Sequence, residues 1–127
     1  MVAKNPYAKL TEDKIFSATK EELTLMLYEG ALRFCNQALV ALEKKDFIKV
    51  NELLLRVQDI IREFQITLKD DFGVSNDFRQ LYDYIFRLLV DANVRKEQSV
   101  LEEARDLIRE FRDTWKEAMK LAKQQGA

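Results

Sequence analysis

The groups that could carry chemistry in this 127-residue chain are carboxylates and one thiol, because the sequence contains no histidine. Histidine is the commonest general base and the commonest transition-metal ligand, so both kinds of site lose their usual residue. Adjacent carboxylates occur at Glu21 and Glu22, with Glu29 beyond them, and again at Glu102 and Glu103. Glutamates near the start of a helix favour stabilisation of the helix dipole and a solvated face over an acid–base pair.

The single thiol, Cys35, lies in the apolar segment LRFCNQALV with no neighbouring base. This context favours a small core residue over a nucleophile. One cysteine without histidine also argues against structural zinc. The three glycines form neither GxGxxG nor GxxxxGK, so no phosphate-binding loop is expected. The sequence predicts a protein that is not an enzyme and that needs no cofactor or metal.

Composition places the chain among folded cytoplasmic proteins. Hydrophobic residues make up 47% and charged residues 34%, which is too apolar for a disordered chain and too charged for a membrane protein. The N-terminal stretch MVAKNPYAKLTEDK lacks the apolar run of a signal peptide. A net charge of −1 argues against nucleic-acid binding, which relies on a basic field, and no membrane insertion is expected.

Apolar residues spaced three and four apart predict four helices. Because short turns force neighbouring helices to run antiparallel, we expect an all-α fold, an up-down-up-down four-helix bundle. Residues 19–125 would form this single domain. The predicted helices span about 20–44 with a capping box at Thr19 and Glu22, about 47–69 after Asp46, about 76–94 after Ser75, and about 100–125 after Ser99.

Residues 1–18 are predicted to form a short N-terminal cap arm, because Pro6 prevents a helix from running through them. The arm carries the apolar residues Tyr7, Leu10 and Ile15. We expect these side chains to fill a groove of the bundle when no partner is bound.

The helices carry more apolar residues than the roughly three in seven that a bundle helix needs. The core stripe of the first helix is predicted at Leu23, Leu27, Ala31, Phe34, Ala38 and Leu42, and that of the second at Phe47, Val50, Leu54, Val57, Ile61, Phe64 and Leu68. The surplus includes Leu32 and Ala41 on the first helix, Ile48, Leu53, Leu55 and Ile66 on the second, and Tyr84 and Val90 on the third. Such residues either widen the core or line grooves for a partner's amphipathic helix, and their recurrence on three helices favours grooves. Trp115 is predicted to be a core anchor.

Five segments, taken in order, resemble the flagellin export chaperone family known as FliS. They are NPY at 5–7, EELTLMLYEGALRF at 21–34, VQDIIREFQITL at 57–68, LYDYIFRLLVDAN at 81–93 and FRDTWKEA at 111–118. The chain departs from the family pattern at Leu88, where a second arginine is usual, and at Ile85, where methionine is usual. Lys20 replaces the usual proline, and Lys96 and Glu97 replace Asn-Asp.

The resemblance implies a cytoplasmic chaperone that binds the disordered C-terminal segment of flagellin, prevents premature polymerisation and aids delivery to the flagellar export apparatus. Components of the export gate are further candidate partners. The resemblance also implies partner-binding roles for Tyr7, Leu10, Ile15, Leu23, Leu27, Tyr28, Gln58, Ile61, Leu81, Tyr82, Ile85 and Asn93. Leu27 and Ile61 are equally compatible with the core, whereas Tyr7, Tyr28, Tyr82 and Asn93 carry polar groups that a pure core would not favour.

Other functions remain open at this point. A helical adaptor with a different client would share the grooves. An enzyme would need inward-facing polar residues on the stripes, which contain none, and a di-iron site would need Glu-x-x-His.

Overall fold

The computed structural model describes the backbone of residues 18–71 and 76–125 and the side chains of residues 18–67 and 78–125. Within these ranges the chain forms four α-helices and no strand: α1 (Lys20–Glu43), α2 (Phe47–Asp71), α3 (Asn76–Arg95) and α4 (Gln98–Gln125). Each helix packs against the next, and α4 packs against α1, so α1 and α3 lie on a diagonal of the bundle. The predicted all-α four-helix bundle is confirmed. Residues 1–17 of the predicted arm at 1–18, and the predicted cap Ser75, lie outside the described residues.

Two predicted helix starts are confirmed by their hydrogen bonds. At α1, Thr19 Oγ1 accepts from the Glu22 amide at 3.1 Å, and Glu22 Oε1 accepts from the Thr19 amide at 3.2 Å. Hydrogen bonds from the Thr19 backbone amide and from the Thr19 side chain hold the pKa of the Glu22 carboxyl below its usual range. At α2, Asp46 Oδ1 accepts from the Lys49 amide at 3.3 Å. Each side chain satisfies an amide that the first helical turn leaves without a partner.

The predicted start of the fourth helix is wrong. Helix α4 begins at Gln98, so Ser99 lies inside its first turn, and the Leu101 amide donates to the Glu97 carbonyl at 3.3 Å. The reason is the tightness of the preceding turn. Lys96 adopts a φ of 53°, which ends α3 at Arg95 and reverses the chain within two residues.

The α2 stripe is confirmed through most of its length. Val50, Leu54, Val57, Ile61 and Phe64 are all buried. The stripe fails at its first position, since Phe47 remains 46% exposed.

The α1 stripe is rotated relative to its prediction. Leu23, Leu27, Phe34 and Leu42 are only half-buried, while Leu32 and Ala41, assigned to the surplus, belong to the core. Because α1 is apolar on almost every side, spacing alone does not define its inner face. The core side of α1 beyond Tyr28 is mostly small: Ala31, Cys35, Ala38 and Ala41. Cys35 is a core residue as predicted, and burial raises the pKa of its thiol to about 12.

In the turn between α1 and α2, Lys45 adopts a left-handed backbone conformation that glycine usually occupies. Lys45 has a φ of 59°, its amide donates to the Leu42 carbonyl at 3.0 Å, and the Asp46 amide donates to the Ala41 carbonyl at 2.9 Å. This pair of bonds is the Schellman motif, in which the residue after the C-cap is left-handed. Such a conformation costs a non-glycine residue about 1–2 kcal/mol.

We expect Lys45→Gly to raise the free energy of unfolding by about 0.5–1 kcal/mol, because relief of the left-handed strain exceeds the entropy that glycine adds to the unfolded chain. Urea unfolding measures the change. The matched control is Lys44→Gly, since Lys44 has a right-handed φ of −81° and gains nothing from glycine. Equal destabilisation by both substitutions would contradict this account.

Candidate functional site: an apolar groove at one end of the bundle

A groove of about 590 Å³ opens at the end of the bundle where α1 and α3 begin and where α2 and α4 end. All four helices contribute to it. Its walls and floor are mainly apolar, and it is lined by Leu23, Thr24, Leu27 and Tyr28 of α1, Phe64 and Thr67 of α2, Phe78 and Tyr82 of α3, and Phe111, Thr114, Trp115, Ala118, Met119 and Ala122 of α4, with Lys20, Glu21 and Glu63 supplying charge.

The floor of the groove is a chain of five aromatic rings. The ring centroids of Tyr28 and Phe64 are 4.4 Å apart, and those of Phe64 and Tyr82 are 5.7 Å apart. Tyr82 stacks on Phe111 at 4.9 Å, and Phe111 meets Phe78 at 5.6 Å. These distances are those of favourable aromatic pairs. The rings therefore join all four helices at one level of the bundle.

The only polar atoms of this floor are the two phenol oxygens, which hydrogen-bond to each other. The oxygens of Tyr28 and Tyr82 are 2.5 Å apart, across the α1–α3 diagonal. The two side chains are 4% and 2% exposed. Burial raises the pKa of both phenols, because desolvation penalises the charged form. Both tyrosines are therefore protonated at neutral pH.

Trp115 and Leu27 are two of the apolar wall residues above the floor. The Trp115 indole nitrogen donates to the Glu21 carbonyl at 3.1 Å, which fixes the ring against the start of α1. Trp115 packs against the buried core, as predicted, but it also lines the groove. Trp115 therefore belongs both to the core and to the groove.

Two threonines in the lining are less polar than their residue type suggests. Thr24 Oγ1 donates to the Lys20 carbonyl at 3.1 Å, and Thr67 Oγ1 donates to the Glu63 carbonyl. Because each of these hydroxyls donates its proton to the carbonyl four residues earlier in the same helix, that proton is not available to a bound segment. Such a groove can bury the apolar face of a helical segment, while the charged Lys20, Glu21 and Glu63 can meet polar groups of that segment.

The structure brings four of the predicted partner-binding residues together in this groove: Leu23, Leu27, Tyr28 and Tyr82. Ile61 and Ile85 lie in the core with no exposed surface. Tyr7, Leu10 and Ile15 fall outside the described residues.

The remaining three predicted residues lie away from the groove lining. Gln58 is half-buried and Leu81 is 40% exposed. Asn93 lies near the opposite end of the bundle, where its amide nitrogen donates to Asn51 Oδ1 at 2.8 Å and its side-chain oxygen accepts from Lys96 Nζ at 2.6 Å.

Several lining residues were missed by the sequence analysis. Phe78, Phe111, Met119 and the threonines Thr24, Thr67 and Thr114 line the groove but were not among the predicted partner-binding residues. A usable signal was present, since aromatic residues cluster near the end of α2, the start of α3 and the end of α4. In an antiparallel bundle these three ends meet.

The apolar surplus divides between two environments. Leu32, Ala41 and Leu53 are buried, so these three residues widen the core and do not line a groove. Ile48, Leu55 and Ile66 remain exposed along α2, as do Tyr84 and Val90 on α3. None of these exposed residues lines the groove described above.

We expect Tyr28→Phe and Tyr82→Phe each to lower the free energy of unfolding by about 1–2 kcal/mol, because each leaves the other buried hydroxyl without a partner. The double variant should be less destabilised than the sum of the two, and close to the natural protein, because it removes both polar groups together. Urea unfolding of all four proteins gives the coupling energy. Strict additivity would show that the hydroxyls do not interact in solution.

None of the described helices is long and apolar enough to cross a membrane. Across the same residues, no three acidic or cysteine side chains converge as metal ligands would.

Comparison with known proteins identifies relatives that share nearly the whole chain. The family model described as flagellar protein FliS matches residues 3–122. The flagellar secretion chaperone FliS of Bacillus subtilis is 39% identical over 94% of this chain and 90% of its own length. The protein of the same name from Salmonella typhimurium is 30% identical over 87% of this chain and 85% of its own length. The Escherichia coli protein is 27% identical over 89% and 86% of the two chains.

Proposed function

We propose that this chain, which belongs to the FliS family of flagellar secretion chaperones, binds the disordered C-terminal segment of flagellin, part of it in the groove at the end of the bundle. The observation that carries the proposal is the groove itself. An apolar cleft of about 590 Å³ lined by all four helices is suited to the apolar face of an amphipathic helix.

The physical role of such a complex is to cover a surface that would otherwise self-associate. A flagellin segment that buries its apolar face in the chaperone has no such face available for polymerisation. Because a disordered segment loses conformational entropy when it folds on binding, the affinity stays lower than the contact area alone implies. This leaves the complex able to release its client at the export apparatus in the cytoplasm without a nucleotide-driven step.

We assign the groove contacts to Leu23, Leu27, Tyr28 and Tyr82. Ile61 and Ile85 are fully buried, so they do not contact the segment directly. Their packing in the core helps to hold the four helices together.

Gln58, Leu81 and Asn93 lie outside the groove, so we propose that they contact parts of the flagellin segment that continue around the bundle. Components of the export gate are further partners in this proposal.

We propose that the N-terminal arm, residues 1–17, covers the groove before flagellin binds. Tyr7, Leu10 and Ile15 supply the apolar side chains that such a cover needs. The described chain begins at Ala18, directly before α1, whose first turns line the groove. The arm therefore joins the described chain close to the site that it would cover.

Calorimetric titration with a flagellin C-terminal peptide should give a one-to-one complex with a negative heat-capacity change, as burial of apolar surface requires. Leu23→Asp should weaken binding at least tenfold, because it removes an apolar contact and buries a charge. An aspartate in the first turns of α1 is compatible with the helix dipole, so the bundle should remain folded.

The matched control is Val40→Asp, which places the same change near the other end of α1 on a residue that is 52% exposed. Its affinity should equal that of the natural protein. Absence of heat and of a complex in gel filtration would contradict the flagellin proposal and favour a helical adaptor with another client. Equal weakening by both variants would remove the groove from the binding site.

Deletion of residues 1–17 should leave the helical circular dichroism signal intact and change the affinity for the flagellin peptide. If the arm covers the groove, its removal relieves competition and tightens binding by a few-fold. A deletion variant that unfolds would show that the arm is part of the core, and an unchanged affinity would show that the arm does not occupy the groove.

A further inference from the structure

We propose that the Tyr28–Tyr82 pair is a polar anchor for a side-chain carboxamide, an asparagine or glutamine carried on the otherwise apolar face of the bound segment. This inference rests on the proposed function for the identity of the segment. It assigns the two phenols a recognition role beyond their contribution to the groove floor.

The first supporting observation is that the two hydroxyls have two protons but form only one hydrogen bond with each other. Each phenol has one donor and can accept at its oxygen. The single bond between the two oxygens uses one proton, and the structure gives neither hydroxyl a second hydrogen-bond partner among the described residues. One proton therefore has no acceptor, although the side chains are only 4% and 2% exposed. Each phenol oxygen has its partner in the other, and the second proton lets the pair form one further hydrogen bond.

The second support is the location of the pair. Both tyrosines line the groove, and the rings that contact them, Phe64 and Phe111, offer no lone-pair acceptor. The hydroxyl protons of Thr24 and Thr67 are directed to carbonyls of their own helices. A segment that occupies the groove can therefore supply the acceptor for the second phenol proton.

The raised pKa of both phenols keeps both protons in place at neutral pH. The chemistry of the acceptor follows from the surroundings. A carboxylate would lose its hydration against aromatic rings, which is strongly unfavourable. The backbone carbonyls of a bound helix are used within that helix and lie about 2–3 Å from its axis, inside its layer of side chains.

The acceptor must therefore be uncharged and must be carried on a side chain. A carboxamide meets both requirements. Its carbonyl oxygen can accept the free phenol proton, and its NH₂ group can donate to a phenol oxygen. It is uncharged and sits on a side chain long enough to reach the floor from a helix backbone.

The test is a set of double-mutant cycles on the full-length chain with the flagellin C-terminal peptide. The protein carries Tyr28→Phe with Tyr82→Phe, and the peptide carries single replacements of each asparagine by leucine and each glutamine by methionine. The double phenylalanine variant should bind the natural peptide about tenfold more weakly, because the carboxamide is buried without partners. One peptide replacement should cause the same loss with the natural protein and no further loss with the double variant.

The control is Tyr84→Phe, since the Tyr84 hydroxyl donates to Glu103 on the outside of the bundle and does not line the groove. Its affinity should be unchanged. The proposal is overturned if the double variant binds within twofold of the natural protein, or if no asparagine or glutamine of the peptide is coupled to the tyrosines.

A second measurement separates this inference from the proposed function. If flagellin does not bind the natural protein, the flagellin proposal fails, and hexanamide then serves as the probe. Hexanamide should shift the ring carbon resonances next to the Tyr28 and Tyr82 hydroxyls, and it should bind the double phenylalanine variant more weakly. Absent shifts, or equal binding to both proteins, would overturn the anchor.

Discussion

The contact on which the rest of the structure depends is the aromatic junction built around the Tyr28–Tyr82 hydrogen bond. It spans the α1–α3 diagonal, and Phe64 and Phe111 complete it from α2 and α4. Below this level, the inner face of α1 carries alanines and a cysteine, which allow neighbouring helices to approach closely. Above it, at the ends of the helices, large side chains such as Phe78 and Trp115 line the space between the helices without filling it. The change in side-chain size along α1 accounts for the position of the groove.

The two ends of the bundle are consequently different. At the far end, Asn51, Asn93 and Lys96 form a hydrogen-bonded cluster that ties α2 to α3 and to the turn before α4. At the groove end, the Tyr28–Tyr82 bond joins α1 to α3 and the Trp115–Glu21 bond joins α4 to α1, but the described side chains that line the groove form no polar cluster of three residues. An export chaperone needs to accept a segment without losing its own fold. A bundle with one hydrogen-bonded end and one apolar end would meet that need at the groove that we propose as the binding site.

The sequence predicted the four helices and most of the α2 core because these features follow from local spacing. Val50, Leu54, Val57, Ile61 and Phe64 recur at spacings of three and four, and the charged residues of α2 fall outside this stripe, although Leu53, assigned to the surplus, is also buried. The same method failed on α1, where Leu32 and Ala41 were misassigned, because an all-round apolar helix has no unique face. It also misplaced the start of α4, since the left-handed conformation of Lys96 is a property of the turn and not of any capping motif. Groove residues from four helices could be grouped only after the helix ends were brought together in space.

Retention of two phenols in an apolar floor needs a physical reason, because two phenylalanines would pack the same rings without burying a polar group. The hydrogen bond between the hydroxyls offsets part of the desolvation cost, yet one proton remains without an acceptor among the described residues. A groove with only apolar contacts would accept almost any amphipathic helix, since such contacts discriminate weakly between hydrophobic side chains. A buried donor discriminates more sharply, because it penalises an occupant that leaves it unpaired and favours one that carries a matching group. In the binding mode that we propose, the tyrosine pair would let one small site combine broad apolar affinity with selection for a particular client.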